Sequence, residues 1–154
     1  LQGDTIVTFL WLAVLFALSG QLNELGFMAY VGGHLTSLLA GIEWRTTYVV
    51  LLVLYVALHY GFVSQTAQIL ALFDVFLNVG VQAGVPPALM AFALLFASSY
   101  FSTITPQGGS QNVVFVGSGY LTQPELYRLG LITTVFCLIV FLLIGTPWLM
   151  LVAT

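Results

Sequence analysis

The chain has 154 residues, of which 60% are hydrophobic and only 5% charged, against about 25% charged residues in an ordinary soluble domain. A water-soluble single core is excluded by that balance. The charges are Asp4, Glu24, Glu43, Arg45, Asp74, Glu125 and Arg128, for a net −3, and two arginines without a lysine exclude a nucleic-acid surface.

Uncharged stretches run over 5–23, 46–73, 75–124 and 129–154. Each has room for a span, since about 20 apolar residues cross a hydrocarbon core of about 30 Å. The single cysteine, Cys137, lies in an apolar run, where it forms no disulfide within the chain and no multi-cysteine metal site. The opening Leu-Gln-Gly-Asp lacks methionine, and the first apolar run lacks a basic leader and a small-residue cleavage site. We therefore expect the sequence to begin inside a longer protein. Arg45 and Arg128 alone do not fix an orientation by the positive-inside rule.

Residues 5–22 read as a transmembrane helix started by Asp4 and closed near Gln21, Asn23 and Glu24. Residues 26–42 are less apolar, contain four glycines and His34, and read as an interfacial helix or a short span. Glu43-Trp44-Arg45 suits the headgroup level. Residues 46–63 and 67–82 are then apolar arms around the polar element Ser64-Gln65-Thr66.

Two spans joined by an aqueous loop is one reading of 46–82, and a re-entrant hairpin is the other. The tip has no charge, glycine or proline and is flanked by His59, Tyr60 and Gln68. Both features favour a re-entrant tip, tolerated only where it is buried in protein or lines a wet cavity.

Gly84-Val85-Pro86-Pro87 marks a turn and a proline-led helix start. Residues 88–102 then form an apolar helix of about 22 Å, too short to span. Residues 103–112 carry Pro106, Gly108 and Gly109 within four positions, and 113–117 are apolar again. A kinked continuous helix needs one proline, so this composition reads as a discontinuous helix, two half-helices with unwound backbone between them. A polar connection over 118–128, with Glu125 and Arg128 spaced three apart on a short helix, and a full span over 129–152 complete the chain. The predicted fold is all-α: a polytopic membrane protein with a re-entrant helical hairpin and a broken helix.

Exposed backbone in hydrocarbon costs several kcal/mol per unpaired group, so the break at 103–112 implies something that binds there. An anion fits, because the helices starting after Thr66 and near Asn112 present free N–H groups and partial positive charge. Ser64, Gln65, Thr66, Thr105, Pro106, Ser110, Gln111 and Asn112 are the candidate binding residues. No lysine or arginine is near to hold the anion permanently, which suits reversible capture. Unwound carbonyls at the same two places could instead take a sodium ion. For His59 and Asp74 a proton relay competes with a hydrogen-bonded packing histidine and an aspartate near the membrane surface or facing a wet cavity, and the second reading is preferred.

Hydrolytic chemistry finds no support. Ser98, Ser99 and Ser102 have no His or Lys base nearby in sequence, His34 and His59 lack metal-ligand spacing, and Gly117-Ser118-Gly119 lacks the strand context of a nucleophile elbow. An enzyme is not expected, nor a cofactor other than sodium.

The segments HYGFVSQTAQILALFDVF (59–76), AGVPPALMAFAL (83–94) and NVVFVGSGYL (112–121), in this order and spacing, resemble the C-terminal half of the divalent anion:sodium symporter family. The resemblance covers nearly the whole chain and is strongest to the branch of citrate/succinate antiporters and plastid 2-oxoglutarate/malate translocators. It implies a secondary transporter of two inverted repeats, of which this chain supplies the second. It also implies a homodimer, an elevator motion of the hairpin-bearing domain, and a bacterial inner membrane or plastid inner envelope. The family's Ser-Asn-Thr tip, which contacts substrate carboxylate, matches Ser64, Gln65 and Thr66; its unwound segment maps onto Thr105 to Asn112. Here Gln65 replaces asparagine, and Gly109-Ser110-Gln111-Asn112 replaces the Thr-Pro-Pro-Asn turn of sodium-coupled members. These departures favour exchange of di- or tricarboxylates such as succinate, malate, 2-oxoglutarate or citrate over sodium-coupled symport. A scaffold subunit without a transport cycle is the reading from a different class.

Overall fold

The computed structural model describes residues 13, 14, 17, 18, 21, 24–59, 65–100 and 119–152, and among them every regular element is helical. The helices are α1 (Phe27–Leu38), α2 (Trp44–Leu58), α3 (Gln65–Gln82), α4 (Pro87–Tyr100) and α5 (Gln123–Val140). A π-helical turn over Phe141–Gly145 then leads into α6 (Thr146–Val152). The predicted first span and the segment 103–117 lie wholly or largely outside the described residues.

Helix α5 starts within the segment predicted as a polar connection, at Gln123. Its opening turn explains why. The Thr122 N–H and hydroxyl both donate to the Glu125 carboxylate, at 2.9 and 2.6 Å, and Pro124 sits where a helix needs no N–H donor. With the π turn and α6 it forms one apolar helix, Gln123–Val152, about 45 Å long at 1.5 Å per residue. The π turn precedes Pro147, which lacks an N–H for the Leu143 carbonyl and would crowd it in a regular helix. The chain widens instead, and the Thr146 N–H reaches back to Phe141.

Helix α4 lies at the centre, packing on α2, α3, α5 and α6, while α1 packs on α3. Its inner face, Leu89, Met90, Ala93, Leu94 and Ala97, is buried, and its outer face carries exposed Phe92, Leu95 and Phe96. Both faces are therefore apolar. The same holds for α2, where Leu51, Leu52 and Tyr55 point inward and Val49, Val50 and Val53 outward. Along α5, Leu129, Ile132, Val135, Phe136 and Ile139 are all exposed. Such continuous apolar outer surface is what lipid contacts.

Arms α2 and α3 run antiparallel. At one end a side chain at Gly84 would come within 3.8 Å of Trp44 Cβ; at the other His59 meets Gln68. Between these ends the Tyr55 and Phe76 rings meet edge-on at 5.3 Å. Arg45 lies over the Trp44 ring at 5.4 Å and pairs with exposed Glu43 at 3.6 Å, the amphipathic grouping expected at headgroup level.

The turn from α3 to α4 is closed by backbone. Gly84 has φ +88°, and the Val85 and Gly84 N–H groups return to the Gly80 and Val81 carbonyls at 3.0 Å each, the paired bonds of a left-handed helix cap. Gly80 also lets the helices approach, since a Cβ there would sit 2.9 Å from Met90 Cγ.

Two predictions follow from these contacts. Gly84→Ala forces a side chain into the left-handed region and should destabilise by about 1–2 kcal/mol, read as a lower thermal-denaturation midpoint in detergent. The buried pair of the Tyr48 hydroxyl and Thr146 Oγ1, 2.9 Å apart, joins α2 to α6. Thr146→Val, which leaves the Tyr48 hydroxyl without that partner, should cost about 1–3 kcal/mol. Adding Tyr48→Phe should recover most of that loss, and additive losses would refute the pairing.

Candidate functional site

Helix α3 begins at the tip element itself, with Gln65 half-buried and Thr66 exposed. The first turn of a helix has N–H groups without intrahelical acceptors and carries the positive end of its dipole. Gln65 and Thr66 lie in that first turn. Ser64 lies outside the described residues, as do Thr105, Pro106, Ser110, Gln111 and Asn112. The fold thus brings two of the sequence-predicted residues to one helix start and does not describe the other six.

Beneath that start is a buried polar chain. The end of α2 tightens, with the His59 N–H bonding to the Val56 and Ala57 carbonyls. The carbonyl of Tyr55, which a continuing α-helix would pair with the amide four residues on, accepts a bond from Gln68 Nε2 at 2.7 Å. With the nitrogen end of the amide so committed, Gln68 Oε1 faces His59 Nδ1 at 2.6 Å. The oxygen can only accept, so Nδ1 carries the proton. His59, Gln68 and Tyr55 are each at most 1% exposed.

The chain continues into α4. The Tyr55 hydroxyl lies 3.0 Å from Ser98 Oγ, and Ser98 Oγ donates to the Leu94 carbonyl at 2.8 Å. Since Ser98 has one proton to give, Tyr55 is the donor between the two. One connected set of hydrogen bonds therefore ties α2 to the first turn of α3 and to the last turn of α4.

His59 is placed as the hydrogen-bonded packing histidine the sequence favoured. Asp74 belongs elsewhere, facing a cavity of about 690 Å³ between α1 and α3 lined by Gly32, Gly33, Thr36, Asn78 and Gln82 among others. It sits eight residues beyond Thr66, about 12 Å along the helix. His34 stacks on Tyr30 at 5.3 Å on exposed α1. Among the described residues no three His, Cys, Asp or Glu side chains converge as metal ligands.

Sequence reasoning weighed Gln68 only as a polar neighbour and Ser98 only as an unsupported nucleophile. The signal for both was a polar residue on the buried side of an apolar helix, which demands a partner. The partners are set by tertiary packing and were not readable.

Helices joined by buried amide and hydroxyl pairs, with apolar side chains turned outward, define an integral membrane protein of the helical class. Residues 5–154 match the model of the sodium:sulfate symporter transmembrane region, and the chain belongs to that family, the divalent anion:sodium symporters. It is 38% identical over 141 residues to a putative malate transporter, YflS, of Bacillus subtilis, covering 92% of this chain and 30% of that protein. To dicarboxylate transporter 2.1, chloroplastic, of Arabidopsis thaliana it is 32% identical over 143 residues, 92% of this chain and 25% of the relative. To an L-tartrate/succinate antiporter of Shigella flexneri it is 31% identical over 142 residues, 91% and 29% respectively. The chain thus spans between a quarter and a third of the length of these relatives.

Proposed function

We propose that this chain is the C-terminal repeat of a secondary transporter that exchanges di- or tricarboxylates across a membrane. The observation that carries the reading is the similarity, over nine-tenths of the chain, to proteins named for dicarboxylate, malate and tartrate/succinate transport. The helix start at Gln65-Thr66 supplies the chemistry, for it offers neutral donors and a dipole to a carboxylate with no fixed cation among the neighbours described. Binding of that kind is weak enough to release its cargo.

On this reading Ser64, Gln65 and Thr66 form the tip of a re-entrant hairpin, supported by an α2 of only 15 residues, about 22 Å long. Thr105, Pro106, Ser110, Gln111 and Asn112 complete the shell from the unwound part of a broken helix, whose first half is α4. An inverted N-terminal repeat supplies the other half of the site, the transporter is a homodimer, and the hairpin-bearing domain moves as an elevator. A bacterial inner membrane is its setting, with the plastid envelope as the second.

Sodium-coupled symport is the competing reading, favoured by the family's description. Against it stand Gln65 and the run Gly109-Ser110-Gln111-Asn112, which depart from the residues the resemblance associates with sodium coupling. In proteoliposomes of the full-length transporter, labelled succinate uptake should require internal dicarboxylate and ignore a sodium gradient. Uptake driven by sodium alone would reject exchange.

Ser64→Ala and Thr66→Ala should each weaken succinate binding about tenfold or more, the scale of losing a hydrogen bond to a charged group, about 1.5–3 kcal/mol. Asp74→Asn and Cys137→Ala, which lie away from the tip, should leave affinity unchanged. Wild-type affinity in both tip variants would remove the assigned site.

A further inference from the structure

We propose that Gln68 is a positioning residue for the substrate-binding tip, holding Gln65 and Thr66 in fixed relation to the end of α4 through His59, Tyr55 and Ser98. The proposal rests on the carboxylate-transport reading above and adds to it a residue that touches no substrate. Gln68 is 1% exposed and both ends of its amide are taken, at 2.6 and 2.7 Å. Buried and bonded at both ends, it is placed to hold its neighbours rather than to meet a ligand arriving from solvent.

What Gln68 can do is fix orientation. It lies three residues after Gln65, one turn deeper on the same face of α3. A glutamine side chain loses up to about 2 kcal/mol of rotamer freedom when fixed, and here two short bonds to successive parts of the α2 terminus hold it. Rotation or sliding of the first turn of α3 against α2 would break both. Within a water-free interior it would also bare the Tyr55 carbonyl, a cost in itself.

The same residues reach across the proposed site. Ser98 stands two positions before the end of α4 at Tyr100, just ahead of the segment that supplies the second set of proposed ligands. The start of α3 and the end of α4 are thereby referred to one buried set of side chains, Gln68, His59, Tyr55 and Ser98. A displacement of the tip by about an ångström would separate donors that must meet a carboxylate together.

Labelled succinate exchange by the full-length transporter in proteoliposomes tests this, using Gln68→Met, which keeps side-chain length and removes both hydrogen bonds. The expected result is a KM raised about tenfold, the order seen when side chains supporting a site are lost, with Vmax within about twofold of wild type. Thr66→Ala should then add much less on the Gln68→Met background than on wild type, because the two changes act on one geometry.

An unchanged KM with reduced Vmax, or strictly additive effects with Thr66→Ala, would mean that Gln68 only stabilises the fold, and would overturn the proposal. If Gln68→Met does not insert as folded protein, His59→Phe carries the test for one of the two bonds, since it removes the Nδ1–H that Gln68 Oε1 accepts. A wild-type protein that exchanges dicarboxylate and is weakened by Thr66→Ala, beside a Gln68→Met protein of normal KM, rejects the positioning role alone. A wild type that moves no dicarboxylate rejects the transport reading, and the positioning role with it.

Discussion

A helix that ends in a buried place leaves carbonyl and amide groups that water cannot reach, and the side-chain amide of Gln68 is where this chain meets that demand. Its nitrogen takes the Tyr55 carbonyl near the end of α2 and its oxygen takes His59 Nδ1. The close of one arm is thus tied to the opening of the next by one residue. Few other side chains could do so, because the task needs a donor and an acceptor a fixed distance apart with no net charge to desolvate. An apolar residue here would leave backbone exposed, and a charged one would carry its own burial cost.

The wider packing follows the same logic. Lipid is as apolar as leucine, so burying apolar side chains gives little drive for helices to associate, and close contact with hydrogen bonds between helices takes its place. Gly80 brings α3 against Met90 of α4. Tyr48 with Thr146 and Tyr55 with Ser98 place paired hydroxyls between α2 and the helices that flank it. The π turn before Pro147 belongs to this account as well: a proline that would have left a carbonyl bare is accommodated by a wider turn, and the residue at its end, Thr146, is the one that meets Tyr48.

Much of this could be read from sequence because membrane burial simplifies the code. Apolar length, interrupted by the few polar residues, located α2, α3 and α4, and the proline pair at 86–87 placed the start of α4 within one residue. The polar element at Gln65-Thr66 was legible for the same reason, as an interruption in an apolar run, and α3 starts there. The entry to α5 falls within the stretch read as a polar connection, because Glu125 turns back to Thr122 and starts the helix there. The network behind the tip was invisible for a deeper reason. Sequence marks Gln68 and Ser98 as polar residues needing partners, but Tyr55 reads as one more aromatic in an apolar run. Its carbonyl becomes an acceptor only because α2 tightens in its last turn, and its hydroxyl reaches Ser98 only once α4 is packed beside it.

A transporter site has to combine two opposed properties, weak enough binding to let go and firm enough geometry to discriminate. A fixed lysine or arginine would favour the first poorly, since a buried pair with a carboxylate is hard to break without leaving one charge stranded. Neutral donors at a helix start avoid that, but each contributes little, so selectivity must come from holding several in one arrangement. In the proposed site the holding is done one turn below the ligand, by the uncharged amide of Gln68 bonded to Tyr55 and His59. On that proposal affinity and rigidity reside in different residues, the first at the helix start and the second in the bonds that tie it to α2.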